Sequence, residues 1–474
     1  MTTAAKTICG LLDSAFPGRV TVPSDTQYQS QKCLPWCQNC WLPAACFVRP
    51  QNSKDVAEII KTVKRADIKF AIRSGGHNFN PGFSSVDSGV LIDLRDLNTL
   101  EIDSDGILQA GAGNTWGDVY TFLEKKGLSA IGGRQSDVGI SGYLLGGGMP
   151  AFPNLHGLGV DSVKNFEVVL ADSTIINANA RENTDLYRAL KGGGSNFGVV
   201  TRFDIQTYPA IYLQYNVLMY HPSGFEEALH ATVEAQESME TDPKLGMFAG
   251  VNPTFIAIGI YYADSEAEQP KAIENFINLK SLMQALVPTT KGTIKSLVEA
   301  IGILGPSTRR LTATTTTKVS YNFYIQVHNL WLDSVRRHTK ISNLWYNIQP
   351  TSTTAVQLGE DQGGNSLGLQ KVPQTWWSLV AEWSEESDDT TVAHELEELT
   401  ENVSRLAKEQ GLYLDFKFMN DAEFSQNVLS SYGMENMKRL QEASAKYDPD
   451  QLFQKLQNSG FLLRNPQAPS RYTD

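Results

Sequence analysis

His77 directly follows the pair Gly75-Gly76 in "AIRSGGHNFNPGF", at the end of a short apolar stretch of this 474-residue chain. A neutral imidazole nitrogen is a competent nucleophile near neutral pH, and paired glycines let a backbone pass close to a ligand. Two more glycine-rich stretches follow, "GGRQSDVGISGYLLGGGM" at 132–149 and "KGGGSNFGVV" at 191–200. Lacking Cβ atoms, such loops can turn N–H groups toward phosphate oxygens and lay a flat ring against the chain. None fits the G-x-x-x-x-G-K-[ST] phosphate loop. None sets G-x-G-x-x-G between a strand and a helix with an acidic residue about twenty positions on, so a Rossmann site is equally unsupported. Together the three loops point to one extended ligand, a dinucleotide.

Cysteine offers less. Cys9, Cys33, Cys37, Cys40 and Cys46 all lie early in the chain, and "CLPWCQNC" contains a C-x-x-C. A zinc site needs four ligands and no nearby histidine supplies one, so no metal is expected. One structural disulfide with ordinary thiols is the simpler reading.

The elements that hold these loops are legible from periodicity. "KDVAEIIKTVKRAD" sets Val56, Ile59, Ile60 and Val63 at i, i+3, i+4, i+7, an amphipathic helix, and "KFAIR" is a strand running into the His77 loop. "GVLIDL", "ILQAGA", "NFEVVLAD" and "NFGVVTRFDIQTY" read as further strands. Thr115 caps a helix "WGDVYTFLEKKG" that stops at Gly127, and "DLYRAL" is a short helix. Beyond about residue 212, "YLQYNVLMYH", "FIAIGIYYAD", "VSYNFYIQV" and "WSLVAEWS" read as a largely antiparallel sheet, with helices such as "AHELEELTENVSRLAKEQG" on one side. Its Tyr and Trp side chains either wall a pocket for an aromatic or polycyclic substrate or are simply core. "YDPDQLFQKLQNSGFLL" returns to a helix and an apolar end that packs back on the first lobe. The fold class is α+β.

Forty Lys and Arg against 52 Asp and Glu leave a net charge of -12, with no basic cluster to meet a phosphate backbone, so no nucleic-acid partner is expected. No run reaches membrane-spanning length, and "MTTAAKTICGLLDSAF" lacks a secretory pattern. A soluble protein is expected, most simply intracellular, or secreted if a leader has been removed, with no membrane partner; composition does not reveal its oligomeric state.

In this order, "RSGGHNFNPGFSS", "GGRQSDVGISGYLLGGGM", "HGLGVDSVKNFEVVLADS", "DLYRALKGGGSNFGVVTRFDI" and "YDPDQLFQ" resemble the berberine bridge enzyme-like FAD-linked oxidases, fungal branch, within the vanillyl-alcohol oxidase type of FAD-binding fold. The resemblance implies a two-subdomain FAD-binding domain over 1–208, an antiparallel-sheet substrate domain with helices on one face over 209–419, and a segment 420–474 returning to the FAD domain. It implies that His77 tethers the flavin 8α-methyl carbon, with Arg73, Ser74, Gly75, Gly76 and Asn78 beside it. Gly133, Arg134, Gln135, Ser136, Val138, Gly139, Gly142, Gly146, Gly147 and Gly148 are then expected along the ring and pyrophosphate. His156, Gly157 and Asn420 are expected near the cofactor, and Gly198 and Val200 near its adenine end. Many members carry a second tether, a cysteine; Gln135 stands at that position, so FAD is expected on His77 alone. A Cys9–Cys46 disulfide is implied as well.

The sequence departs from the family at the proton-abstracting residue, a tyrosine in an N-Y-x-D pattern. In "FKFMNDAEFSQN" Asn420 is kept and Asp421 replaces the tyrosine. Three readings are open. Asp421 is itself the base, its ordinary carboxyl pKa of ~3.9 raised by burial. Alternatively Tyr321 or Tyr324 of "SYNFY" takes over, or no proton is removed. Glu360, Asp361 and Glu382 are further carboxylates in the second lobe. The expected function is an FAD-linked oxidase that passes hydride from a small, secondary-metabolite-like substrate to flavin N5 and electrons to O2, giving H2O2. The alternative is a redox-silent cyclase or pericyclase on the same scaffold.

Overall fold

A computed structural model describes residues 3–302, 305 and 307–464. The tail of the expected C-terminal segment, 465–474, lies outside the described residues. Strands β1 (Val20–Thr21), β2 (Cys46–Val48), β3 (Phe70–Arg73) and β4 (Val90–Asp93) form a sheet in the order β1-β2-β4-β3. β2 and β3 both run parallel to β4. The amphipathic helix Ser53–Ala66 makes the crossover between β2 and β3 and buries Val56, Ile59, Ile60 and Val63, while the Asn52 side chain caps it by accepting from the Asp55 N–H. A disulfide joins Cys9, on the helix Thr3–Ala15, to Cys46 of β2, with 6.0 Å between the Cα atoms.

The second sheet holds β5 (Leu100–Ile102), β6 (Ile107–Gly111), β8 (Val163–Val169), β9 (Ile175–Asn179) and β10 (Val199–Gln206), in the order β5-β6-β10-β8-β9; β7 (Leu128–Ser129) and β11 (Tyr208–Pro209) pair as a separate two-stranded ribbon. Thr115 caps the helix Trp116–Glu124 in a full capping box with Asp118.

The third sheet is the largest: β12 (Tyr212–Tyr220), β13 (Leu245–Val251), β14 (Ile256–Tyr262), β15 (Leu282–Thr293), β16 (Arg309–Lys318), β17 (Asn343–Thr351), β18 (Gln374–Trp383) and β19 (Tyr413–Leu414). Its order is β15-β12-β14-β13-β17-β18-β16-β19, antiparallel throughout. Alternation along β18 divides the two faces. Trp377, Leu379 and Ala381 share a core with Leu229, Val327 and Leu396 of the covering helices. Trp376 points the other way, onto Phe416 and Phe418 at ring distances of 4.8 and 4.6 Å.

One expected strand is a helix. "VSYNFYIQV" falls in Tyr321–Arg337, capped by Ser320, whose side chain accepts from the Phe323 N–H. Tyr324 is buried against Trp377 on the helix-covered face, where its hydroxyl donates to Gln236 Oε1 at 2.8 Å and contacts Thr375. Tyr321 meets His230 edge-on. Both therefore lie across the sheet from the face that carries Trp376, which corrects the expectation that either supplies the catalytic hydroxyl.

Residues of the C-terminal segment hydrogen-bond to the first sheet and the third glycine loop. Phe70 of β3 donates to Leu456 O and accepts from the Asn458 N–H, and Asn196 of the third glycine loop donates to Phe461 O.

Candidate active site

The first two glycine loops meet backbone to backbone. A Cβ on Gly75 would lie 2.3 Å from Gly139 N, and one on Gly139 would lie 2.4 Å from Gly75 N. Gly76 has a φ of +72°, a conformation that L side chains resist. The pair before His77 is thus fixed by two different needs, close approach and a left-handed turn. The His77 ring is stacked on Trp36, with centroids 5.7 Å apart and planes 15° apart. Its Nε2 lies 3.2 Å from Asp137 Oδ2 in the second loop, and its Nδ1 has no partner among the described residues.

Several expected cofactor contacts have protein partners. Arg73 is nearly fully buried, ion-paired to Asp93 at 2.7 Å and donating to Gln31 O. It holds β3 to β4 rather than presenting its fork to a ligand, a correction to the sequence reading. Ser74 Oγ donates to Ala112 O, and Asn78 Oδ1 accepts from the Asn80 N–H. Gly133 O accepts from Tyr120, and Ser136 O and Val138 O receive the Gly117 and Trp116 N–H groups. Gly146, Gly147 and Gly148 pack on Asn420, Leu367 and Tyr143. Gly157 packs on Asp161. Gly198 packs on Val168, and Val200 pairs with that residue in the sheet. His156 stacks on Tyr208, and burial lowers its pKa to about 4. Gln135 is half-buried in the second loop.

Asp421 occupies a different setting from a solvated loop carboxylate. It follows Asn420, whose Nδ2 donates to Gly142 O at 2.9 Å and whose Oδ1 accepts from the Gly148 N–H at 3.3 Å, so the second glycine loop anchors it. Gln349 Nε2 donates to Asp421 Oδ2 at 2.6 Å, and Ser378 gives a further hydrogen bond. Arg134 hydrogen-bonds Gln349 Oε1 and lies over the Phe248 ring, 5.6 Å from its centroid. Burial lifts the Asp421 carboxyl to about 6; the Gln349 bond, the Arg134 charge and the Ser378 bond act against that rise without cancelling it.

Strand register identifies the rest of the wall. Gln349 pairs with Trp376, Asn347 with Ser378, and Trp345 with Val380, so these side chains share the face opposite the helices. Trp345, Asn347 and Phe248 are half-buried there. Tyr220, Tyr346, Trp377 and Trp383 are core on the helix side. Glu382 contacts Arg310 and Glu360 pairs with Lys371, away from Asp421. Sequence reasoning missed Asp137, Gln349 and Ser378; only the register of β17 and β18 and the closure of the two loops single them out.

A flavin dinucleotide suits this arrangement. Gly142 faces open space, with nothing within 4 Å of a Cβ built there. A short helix, Ile140–Leu145, thus shows bare backbone between the His77 loop and Asn420. Beside it stand an imidazole whose Nδ1 has no partner among the described residues and a carboxyl whose pKa burial raises to about 6. On the outer side of the second loop, a cleft of about 780 Å³ is lined by Asn114, Thr115, Tyr120, Ser136 and Asp137 among others.

Comparison with known proteins gives a concordant result. The model of a family described as "FAD binding domain" matches residues 44–179. An FAD-dependent monooxygenase of Arthrobotrys oligospora is 35% identical over 458 residues, spanning 96% of this chain and 89% of that protein. The bifunctional solanapyrone synthase of Alternaria solani is 31% identical over 461 residues, 96% of this chain and 88% of that one. Among solved structures, glucooligosaccharide oxidase from Acremonium strictum, described as carrying a 6-S-cysteinyl, 8α-N1-histidyl FAD, superposes with a TM-score of 0.78 over 97% of this chain and 99% of its own, at 17% identity. No helix among the described residues is long and apolar enough to cross a membrane.

Proposed function

This chain belongs to the berberine bridge enzyme-like FAD-linked oxidoreductases, and we propose that within them it is an oxidase of a small aromatic or polycyclic metabolite, with Asp421 as catalytic base and His77 as sole covalent flavin attachment. The observation that carries this reading is the half-buried Asp421 carboxyl, hydrogen-bonded by Gln349 and joined through Asn420 to the glycine loop that also meets the His77 loop.

When bound, the flavin supplies a two-electron acceptor at N5 that returns its electrons to O2 as H2O2. Everything else in the mechanism falls to side chains. The backbone at 75–78, 133–136, 138–139 and 142 would hold the cofactor. Phe248 and Trp345 offer apolar faces to a flat substrate. Asp421 takes the proton of a substrate O–H or N–H as hydride leaves the adjoining carbon, and its raised pKa keeps enough basicity for that transfer near neutral pH. Gln349 holds the carboxyl in orientation by donating to one oxygen, and Arg134 fixes the Gln349 amide and places positive charge beside the substrate oxygen that loses its proton. The domain limits at 208/209 and 419/420 are part of this proposal. So is a single attachment, since Gln135 stands where relatives place cysteine.

Oxygen uptake and H2O2 release, measured with a panel of phenolic and enolic polyketide-like substrates, test the reading. Stoichiometric uptake supports it, whereas product formed at full rate without O2 establishes the second reading, a redox-silent cyclase. Denaturing-gel fluorescence after acid treatment tests the tether, and a dark band rejects it.

A further inference from the structure

We propose that Asp137 is the residue that prepares His77 for covalent attachment, setting the imidazole tautomer and receiving its proton; this rests on the reading of His77 as the flavin tether. Asp137 and His77 are sixty positions apart in sequence and meet only because Gly75 and Gly139 bring the two loops into backbone contact. The carboxylate approaches Nε2 at 3.2 Å, and a carboxylate accepts only from N–H, so the proton of the neutral ring sits on Nε2. The lone pair then sits on Nδ1, the nitrogen without a protein partner.

Two surrounding features fit this role. Trp36 lies flat against the ring at 15°, and its backbone N–H donates to Gly76 O at 3.0 Å, so ring rotation away from Asp137 is opposed. Arg310 in turn lies over the Trp36 ring, 4.3 Å from its centroid. Asp137 also lines the outer cleft with Asn114 and Thr115, which gives a proton received from His77 a path to solvent. Burial raises the Asp137 carboxyl pKa, but its interaction with His77 and a backbone hydrogen bond outweigh this and leave it below the usual value, in its accepting form.

The bonds balance as follows. His77 Nδ1 gains one bond to the flavin 8α carbon and one C–H bond of that methyl group breaks, its proton passing to solvent. The electron pair left behind stays on the ring system until O2 takes both electrons and leaves as H2O2. Attack turns the imidazole into a cation carrying its proton on Nε2, and Asp137 stabilises that charge and then accepts the proton.

The test is attachment itself. Apo-protein of the wild type, Asp137→Asn, Asp137→Glu and His77→Ala is mixed with FAD under air, and covalent flavin is followed by intact mass while total bound flavin is read by absorbance. Asp137→Asn should bind FAD as fully as wild type yet attach it at least about tenfold more slowly, and Asp137→Glu should be faster than Asp137→Asn. Attachment of Asp137→Asn at the wild-type rate overturns the inference, and so do Asp137→Asn and Asp137→Glu slowed alike. Covalent flavin in His77→Ala, or none in the wild type, rejects the His77 tether and this inference with it, an outcome distinct from failure of Asp137 alone.

Discussion

Gln349 donates its Nε2 to Asp421 Oδ2 at 2.6 Å while its Oε1 accepts from Arg134, so one amide is held between a guanidinium and the carboxyl that would do the chemistry. The two demands fix the amide's orientation, because only the NH2 end can donate to the acid. Asp421 is thereby aimed, and it stays protonated to a higher pH than an exposed aspartate does because burial dominates.

Replacing Asp421 by Asn keeps the shape and the link to Gln349 but removes the base. Steady-state oxidation should fall by about 10² to 10⁴ fold, with flavin content unchanged. In the wild type the active form is the carboxylate, so kcat/KM should rise with pH through about 6 and level off above it. A variant that keeps wild-type turnover would exclude Asp421 as base.

Gln349→Leu removes a hydrogen bond that favours the ionised carboxyl. The acid limb of the pH profile should therefore move to higher pH, and Ser378→Ala should move it the same way. An unmoved limb in both would mean that the limb belongs to another group.

The loops and most elements could be read in advance, since glycine clusters and the Val56, Ile59, Ile60, Val63 spacing are local signals. The helix Tyr321–Arg337 could not be read as easily, because Tyr, Phe, Ile and Val in "SYNFYIQV" mimic strand composition. Its true period shows in Phe323, Tyr324, Val327 and Trp331, buried along one side with Ser320 as cap. Asp421 was found only by resemblance, whereas Asp137, Gln349 and Ser378 depend on contacts made across the sheet register and between loops. No local pattern encodes such contacts.

Asp93 and Arg73 make an almost solvent-free pair, with Arg95 joining from the outside. Burial raises the Asp93 pKa, but Arg73 and Arg95 outweigh it and the net shift is downward. A carboxyl lowered by folding contributes stability that is present above its unfolded pKa and lost as pH falls through the lower folded value. Unfolding by urea should thus show a loss below about pH 4 that is absent in Asp93→Asn. At neutral pH Asp93→Asn should lose about 3 to 5 kcal/mol, since Arg73 is left buried without its counter-charge.

The Cys9–Cys46 disulfide fastens the N-terminal helix onto β2, the strand from which the crossover to β3 and the His77 loop departs. The bond closes a sequence separation of 37 residues, for which loop-closure entropy gives about 3 to 4 kcal/mol of stabilisation through the unfolded chain. Ile8 and Leu12 of that helix are buried in the same core as Val56 and Ile60, so the helix should stay docked when the bond is cut. Cys9→Ser should therefore lower the midpoint of denaturant unfolding while flavin content and turnover at 25 °C hold near wild type, and added reductant should bring the wild type to the same midpoint. If Cys9→Ser instead loses flavin at ambient temperature, the bond shapes the His77 loop directly rather than only restricting the unfolded chain.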